Sequence, residues 1–209
     1  MHWEIFDPVR QKLLPKLAFT KSSGIYLAGG TALALHLGHR RSVDFDFYST
    51  ENFEPVSFEA RVVQHIENFV VTQRSAGTLL GKSGAVEVTF FYYPYPMLEE
   101  PVESDHVRLA SIADIAAMKI IALTQRGLRR DFLDLYVIAR AVGLQQILEW
   151  TRKKYAQFDP YITLKSLTYF TDAENDTSGR GMELTEPVPW PRIKGYFEKE
   201  TIRFSKLWL

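Results

Sequence analysis

Asp44 and Asp46 stand on either side of Phe45 in the run Val43-Asp-Phe-Asp-Phe-Tyr48. In an extended strand, residues i and i+2 point to one face. The two carboxylates therefore converge, while Val43, Phe45 and Phe47 turn toward a core. Like charges this close repel unless a cation lies between them. Paired aspartate oxygens suit Mg2+ or Mn2+, ions that also hold substrate phosphates. A plain polar face on an edge strand would use the same residues. Upstream, Gly29-Gly30-Thr31 lies where the apolar run Ile25-Tyr-Leu-Ala28 gives way to Thr31-Ala-Leu-Ala-Leu-His-Leu37. A helix starting there exposes unpaired backbone N–H groups and the positive end of its dipole. Glycine lets a phosphate come close to that backbone, although a simple turn would also use a glycine pair.

A third group lies far along the chain. Lys119 falls in line with Ile112, Ile115 and Leu123, at spacings of seven, four and four residues. A lysine on an apolar stripe either snorkels to water or meets an anion. Arg126 follows, and then Arg129-Arg130-Asp131 with Asp134. Arg130 and Asp134 are spaced to pair on a helix surface. The functional reading sets Lys119 and Arg126 on nucleotide phosphates and Asp131 near the reacting group. Together the three groups are what phosphoryl chemistry on a nucleotide requires: a loop that grips phosphates, acids that hold metal, and cations for the charge that develops in the transition state.

The elements that must position these residues can be read from periodicity. Residues 6–20 form an amphipathic pattern with Phe6, Leu13, Leu14 and Leu17 on one side, with Pro8 in its first turn and Pro15 straining its end. Strands are expected at 25–28, 43–48, 69–74 and 85–93, and helices at about 31–37 and 56–69. The segment from Gly77 to Gly84 reads as the turn region between the last two strands. Beyond Pro94-Tyr-Pro96 strand signals are few. Helices are expected at 111–125, opened by a capping-box spacing from Ser111 to Asp114, and at 128–141, 144–155, 160–169 and 190–200. A polar loop spans 173–181. The fold class is α+β: a mixed-sheet core over residues 1–105 and a helical part over 106–209.

Composition narrows the partners. The chain has 209 residues and no cysteine, which excludes a disulfide framework and a thiolate zinc site. No run approaches the roughly 18 to 20 apolar residues that span a bilayer, and the N-terminus lacks signal-peptide character. A cytoplasmic protein without a membrane partner is expected. Net charge is zero, so any RNA contact must come from local clusters such as Arg40-Arg41, Arg129-Arg130 or Arg152-Lys153-Lys154. The last cluster reads as a solvated face. No helix pair suited to duplex DNA is apparent. His36 and His39 read as surface residues. The aromatic run Phe90-Phe-Tyr-Tyr-Pro-Tyr95 reads as core, with base stacking the alternative.

The segment YLAGGTALALHLGHRRSVDFDFYS resembles the Gly-Gly/Ser…Asp-x-Asp signature of the DNA polymerase β-like nucleotidyltransferase superfamily. IADIAAMKIIALTQRGLRRDFLDLYVI and SLTYFTDAE are similar to the AbiEii/AbiGii-type nucleotidyltransferase toxins, so that most of residues 24–175 is covered. The resemblance implies a minimal nucleotidyltransferase fold with a small mixed sheet and a helical C-terminal part. It also implies a nucleoside triphosphate substrate with Mg2+, an acceptor such as tRNA, and a cognate antitoxin protein. Mapped by motif, Gly29, Gly30 and Thr31 would hold the triphosphate, with Arg41 and Arg126 among the nucleotide-binding residues. Asp44 and Asp46 would bind the metal, Lys119 would neutralise phosphate, and Asp131 would be the later essential acid, supported by Arg130 and Asp134.

One departure from the pattern concerns a third carboxylate on a later strand. Alignment of apolar positions puts Thr89 where that acid is expected, with Glu87 two residues earlier on the same face. An acid that deprotonates the attacking hydroxyl speeds transfer, so three possibilities stay open: Glu87 substitutes, Asp131 substitutes, or the enzyme is slow or degenerate. Alternatives to a tRNA-directed toxin are accordingly a catalytically degenerate nucleotide- or partner-binding protein and a protein-nucleotidylating enzyme.

Overall fold

A computed structural model describes residues 1–179 and 182–208 and divides the chain into two compact units, Met1–Ser111 and Ile112–Leu209. The division falls later than the expected 105/106 because a short strand, Arg108–Leu109, still belongs to the first unit's sheet.

The first unit is a seven-stranded mixed sheet. Its strands are β1 (Tyr26–Leu27), β2 (Phe45–Ser49), β3 (Phe69–Ser75), β4 (Thr78–Ser83), β5 (Val86–Tyr92), β6 (Val102–Glu103) and β7 (Arg108–Leu109), arranged β3-β4-β5-β2-β1-β7-β6. The β5–β2 and β1–β7 pairs are parallel and the others antiparallel. The segment expected to be a turn is itself β4. Gly77 and Gly84, at φ 62° and 60°, form two tight turns that fold Thr78–Ser83 back between β3 and β5. Gly81 has a packing reason: a Cβ there would lie 2.2 Å from Phe69 Cζ.

Alternation along β2 and β5 sorts the two faces of the sheet. Phe45, Phe47, Val88 and Phe90 are buried. Phe47 stacks on Phe90 at 5.3 Å, and Phe6 and Phe58 close over Phe45 and Phe90 at 5.2 and 4.9 Å. Phe58 comes from helix α3 (Pro55–His65), which ends before the expected 69 because Ile66 turns extended and Asn68 takes φ 57° ahead of β3. The expected helix over 6–20 is α1 (Pro8–Leu13) followed by a tighter 3-10 stretch, Leu14–Ser23. Pro15 sits at the start of that stretch, where its missing N–H would have broken an α-helical bond. Leu13, Leu14 and Leu17 are buried nonetheless.

The second unit is built from helices: α4 (Ile112–Gln125), α5 (Arg129–Val142), α6 (Leu144–Lys154), α7 (Pro160–Ser166), α8 (Thr171–Asn175) and α9 (Trp190–Trp208). Phe132 is its aromatic centre, with the rings of Phe170, Trp190 and Phe197 at 5.1, 5.7 and 5.6 Å. Ile193, Phe197 and Phe204 of α9 are buried at helical spacing, and the helix extends well past the expected 200. Part of the expected loop at 173–181 is α8, and Arg180 and Gly181 lie outside the described residues. Lys154, read from sequence as part of a solvated face, is 2% exposed, and its Nζ lies 2.6 Å from Asp114 Oδ1. Among the described residues no helix is long and apolar enough to cross a membrane.

Candidate active site

Ala28 follows β1 in extended conformation, and the chain turns at once into α2 (Gly29–Leu37). Gly29 has φ 66°, a left-handed conformation that favours glycine. A Cβ on Gly29 would sit 3.5 Å from Asp46 Oδ2. The bare backbone of the helix start therefore faces the aspartate carboxylate directly. Ala28 N–H donates to the Asp46 carbonyl at 3.0 Å and fixes that approach. Helix α2 ends at Gly38, φ 63°, as its C-terminal glycine requires.

Asp46 lies on the open face of β2, half-buried, and Asp44 stands just before the strand, also half-buried. Asp44 is positioned through its backbone. The Thr31 hydroxyl donates to the Asp44 carbonyl and lies 2.6 Å from Ser42 Oγ. Thr31 is only 2% exposed. Its hydroxyl thus staples the first turn of α2 to the segment entering β2. Ser42 completes the staple, and no spacing in the sequence marks it. Thr31→Val removes a buried donor and strands both partners, and should cost about 1–3 kcal/mol; a urea unfolding midpoint equal to wild type would contradict this. Arg41 is exposed, whereas Arg40 is 2% exposed with Nη1 donating to the Arg41 carbonyl at 3.0 Å.

The parallel register of β2 and β5 sets Asp46 directly beside Thr89. Thr89 Oγ1 donates to Asp46 Oδ1 at 2.7 Å, so a hydroxyl occupies the place expected for the third acid. Glu87 lies opposite Lys82 of β4, and the two form an ion pair at 3.2 Å. Among the described residues no group of three or more acidic or histidine side chains could hold a metal. The carboxylates expected to serve a metal here are those of Asp44 and Asp46. That set suits Mg2+, which keeps several waters and is commonly bound by one or two carboxylates plus substrate phosphates. His36, expected at the surface, is half-buried on α2, and its Nε2–H donates to the Ala110 carbonyl at 2.9 Å. Burial pushes the imidazole pKa below its ordinary value.

In the second unit Lys119 is 7% exposed and points inward. Its Nζ lies 2.8 Å from Asp131 Oδ1 and 2.7 Å from Asp134 Oδ2. Asp134 is fully buried against Lys119, so the expected surface pairing with Arg130 gives way to a buried one. Asp131 Oδ2 is buried without a hydrogen-bond partner among the described residues. Arg126 is exposed just beyond α4. Arg129 lies over the Trp190 ring at 5.1 Å, a contact that holds it away from solvent. The two groups of expected site residues thus sit one in each unit.

The profile of the nucleotidyl transferase AbiEii toxin family, of type IV toxin–antitoxin systems, matches residues 14–185. The chain belongs to this family. It is a nucleotidyltransferase of the toxin type. An uncharacterized protein of Aquifex aeolicus (strain VF5) is 36% identical over 180 residues, covering 84% of this chain and 85% of that one. MenT4, a nucleotidyltransferase toxin from Mycobacterium tuberculosis H37Rv, has a similar structure, with TM-score 0.61 at 15% identity over 94% of this chain and 82% of that one. JHP933 from Helicobacter pylori is also similar, with TM-score 0.55 at 17% identity over 99% and 96%. At these identities the two structures speak for the fold. The matched span includes both the Gly29–Asp46 arrangement and the Lys119–Asp131–Asp134 cluster.

Proposed function

We propose that the protein transfers a nucleotide from a nucleoside triphosphate to the terminal hydroxyl of an RNA such as tRNA. The observation that carries this reading is the bare start of α2 facing Asp46, with Gly29 held at φ 66° and a Cβ there only 3.5 Å from the carboxylate. Backbone N–H groups at Gly29 and Gly30 would receive the triphosphate, favoured by the helix dipole. Asp44 and Asp46 would hold Mg2+ or Mn2+, which when bound supplies charge neutralisation for the phosphates. Arg41 and Arg126 are exposed cations suited to nucleotide phosphates. Lys119 is better suited to positioning than to neutralising phosphate, because its ammonium is already shared by Asp131 and Asp134. Asp131, with one buried oxygen unspent, is the acid to which the essential role is assigned. A cytoplasmic location and a cognate antitoxin follow from the same reading.

The test is incubation with each labelled nucleoside triphosphate, Mg2+ and total cell RNA, beside an Asp44→Ala/Asp46→Ala control. Label in tRNA with the intact protein alone is the expected result. Label on added protein would instead identify a protein-nucleotidylating enzyme.

A second reading, a degenerate nucleotide-binding protein, is favoured by Thr89 in the third-acid place. The labelling experiment separates the two readings, and Thr89→Asp tests the geometry of the third-acid place. Three carboxylates without a cation repel, so this variant should melt below wild type in chelator and gain more stability from Mg2+ than wild type does. If the readout is transfer, an active wild type already disposes of the degenerate reading.

A further inference from the structure

The open face of the sheet carries aromatic rings beside the aspartates. Tyr48 follows Asp46 by two residues on β2, and Phe91 follows Thr89 by two on β5, so both share the Asp46 face. The step along the strand is roughly 6–7 Å, about one nucleotide's reach. Tyr48 meets Phe91 at 5.4 Å and Tyr93 at 5.4 Å, and Tyr93 meets Tyr95 at 4.7 Å. Phe90 from the same run is core, whereas Phe91 and Tyr93 are half-exposed and Tyr95 is 40% exposed. The rings form a track that begins beside the carboxylate and runs out to solvent.

We infer that this track is a stacking platform for the unpaired terminal bases of a single-stranded RNA acceptor. The position of the track selects the acceptor over the triphosphate's own base. The phosphate-receiving glycines lie on the β1 side of Asp46, where the neighbouring ring, Tyr26, is 2% exposed. Tyr26 stacks on Tyr48 at 6.2 Å and closes that end, so from Tyr48 the track runs only toward β5, on the side of Thr89, where the acid facing an attacking hydroxyl would stand. Its length, four rings in succession, suits consecutive bases better than one. Stacking also suits a chain without net positive charge, because it supplies affinity that phosphate contacts alone would otherwise have to provide.

This rests on the RNA-acceptor reading above, and the experiment separates the two. Binding of a short 5′-fluorescein RNA strand ending in a 3′-deoxynucleotide is measured by anisotropy on the full chain, with the same strand in a blunt duplex for comparison. Triphosphate affinity is measured in parallel. Wild type is expected to prefer the single strand. Tyr95→Ala, at an exposed position, should weaken that binding about 5- to 100-fold, while Tyr95→Phe stays close to wild type and triphosphate affinity is unchanged. Single-strand affinity that is unchanged in Tyr95→Ala and in Tyr48→Ala, in a protein that still labels RNA, overturns the platform alone. A loss confined to triphosphate affinity overturns it in favour of the donor's base. A wild type that binds no RNA and labels protein overturns both.

Discussion

Asp46→Ala is expected to lower nucleotide transfer by about 10²- to 10⁴-fold, the range that several kcal/mol of lost charge stabilisation implies, with little change in folding. The side chain is half-buried on the open face, where its carboxylate accepts from the Thr89 hydroxyl and faces Gly29. The backbone bond from Ala28 N–H to the Asp46 carbonyl survives the substitution. Mg2+-dependent triphosphate affinity should fall with activity, whereas binding in chelator should not. Asp46→Asn keeps an acceptor for Thr89 and still loses the charge, so it should behave like alanine toward Mg2+ and like wild type toward urea. Unchanged Mg2+-dependent affinity in both variants would remove Asp46 from the metal site.

Lys154→Met should destabilise the helical unit by about 3–5 kcal/mol, the usual result of stripping one partner from a buried ion pair. Lys154 and Asp114 are almost wholly inaccessible, and they tie α6 to the start of α4. Without the ammonium, the buried Asp114 carboxylate loses its ion-pair partner, which is costly. Asp114→Leu/Lys154→Met removes the charges together and should recover much of the loss. Urea denaturation of the three proteins checks this. A single variant within about 1 kcal/mol of wild type would mean that the pair contributes no more than an exposed one.

Much of the arrangement around Asp46 was legible because strand alternation is local information. Alignment of apolar positions put Thr89 where a third acid is expected, and the parallel register sets that position beside Asp46. Helix ends at Gly38 and Gly143 were likewise marked by residue type. Glycine misled at 77–84, where two turn glycines enclose a six-residue strand whose own Gly81 interrupts its pattern. Lys154 misled for a different reason. Arg152-Lys153-Lys154 looks solvated unless the chain is known to return Asp114, forty residues earlier, to the same place. The Thr31–Ser42 staple and the double pairing of Lys119 escaped notice in the same way, since hydrogen-bond partners follow from tertiary packing and leave no trace in spacing.

The strand order has a consequence for when the site comes into being. The β3-β4-β5 meander closes through two tight turns, and such local pairings form early. Both parallel pairings join strands far apart in the chain: β2 must wait for β5, and β1 for β7. Contacts of long sequence separation bear the loop-closure entropy and form late. Asp46 therefore meets Thr89 only after the meander exists. During synthesis the sheet cannot be completed until Leu109 has emerged, so the nascent first half of this toxin-type enzyme passes through a stage in which its two aspartates are present but not yet assembled.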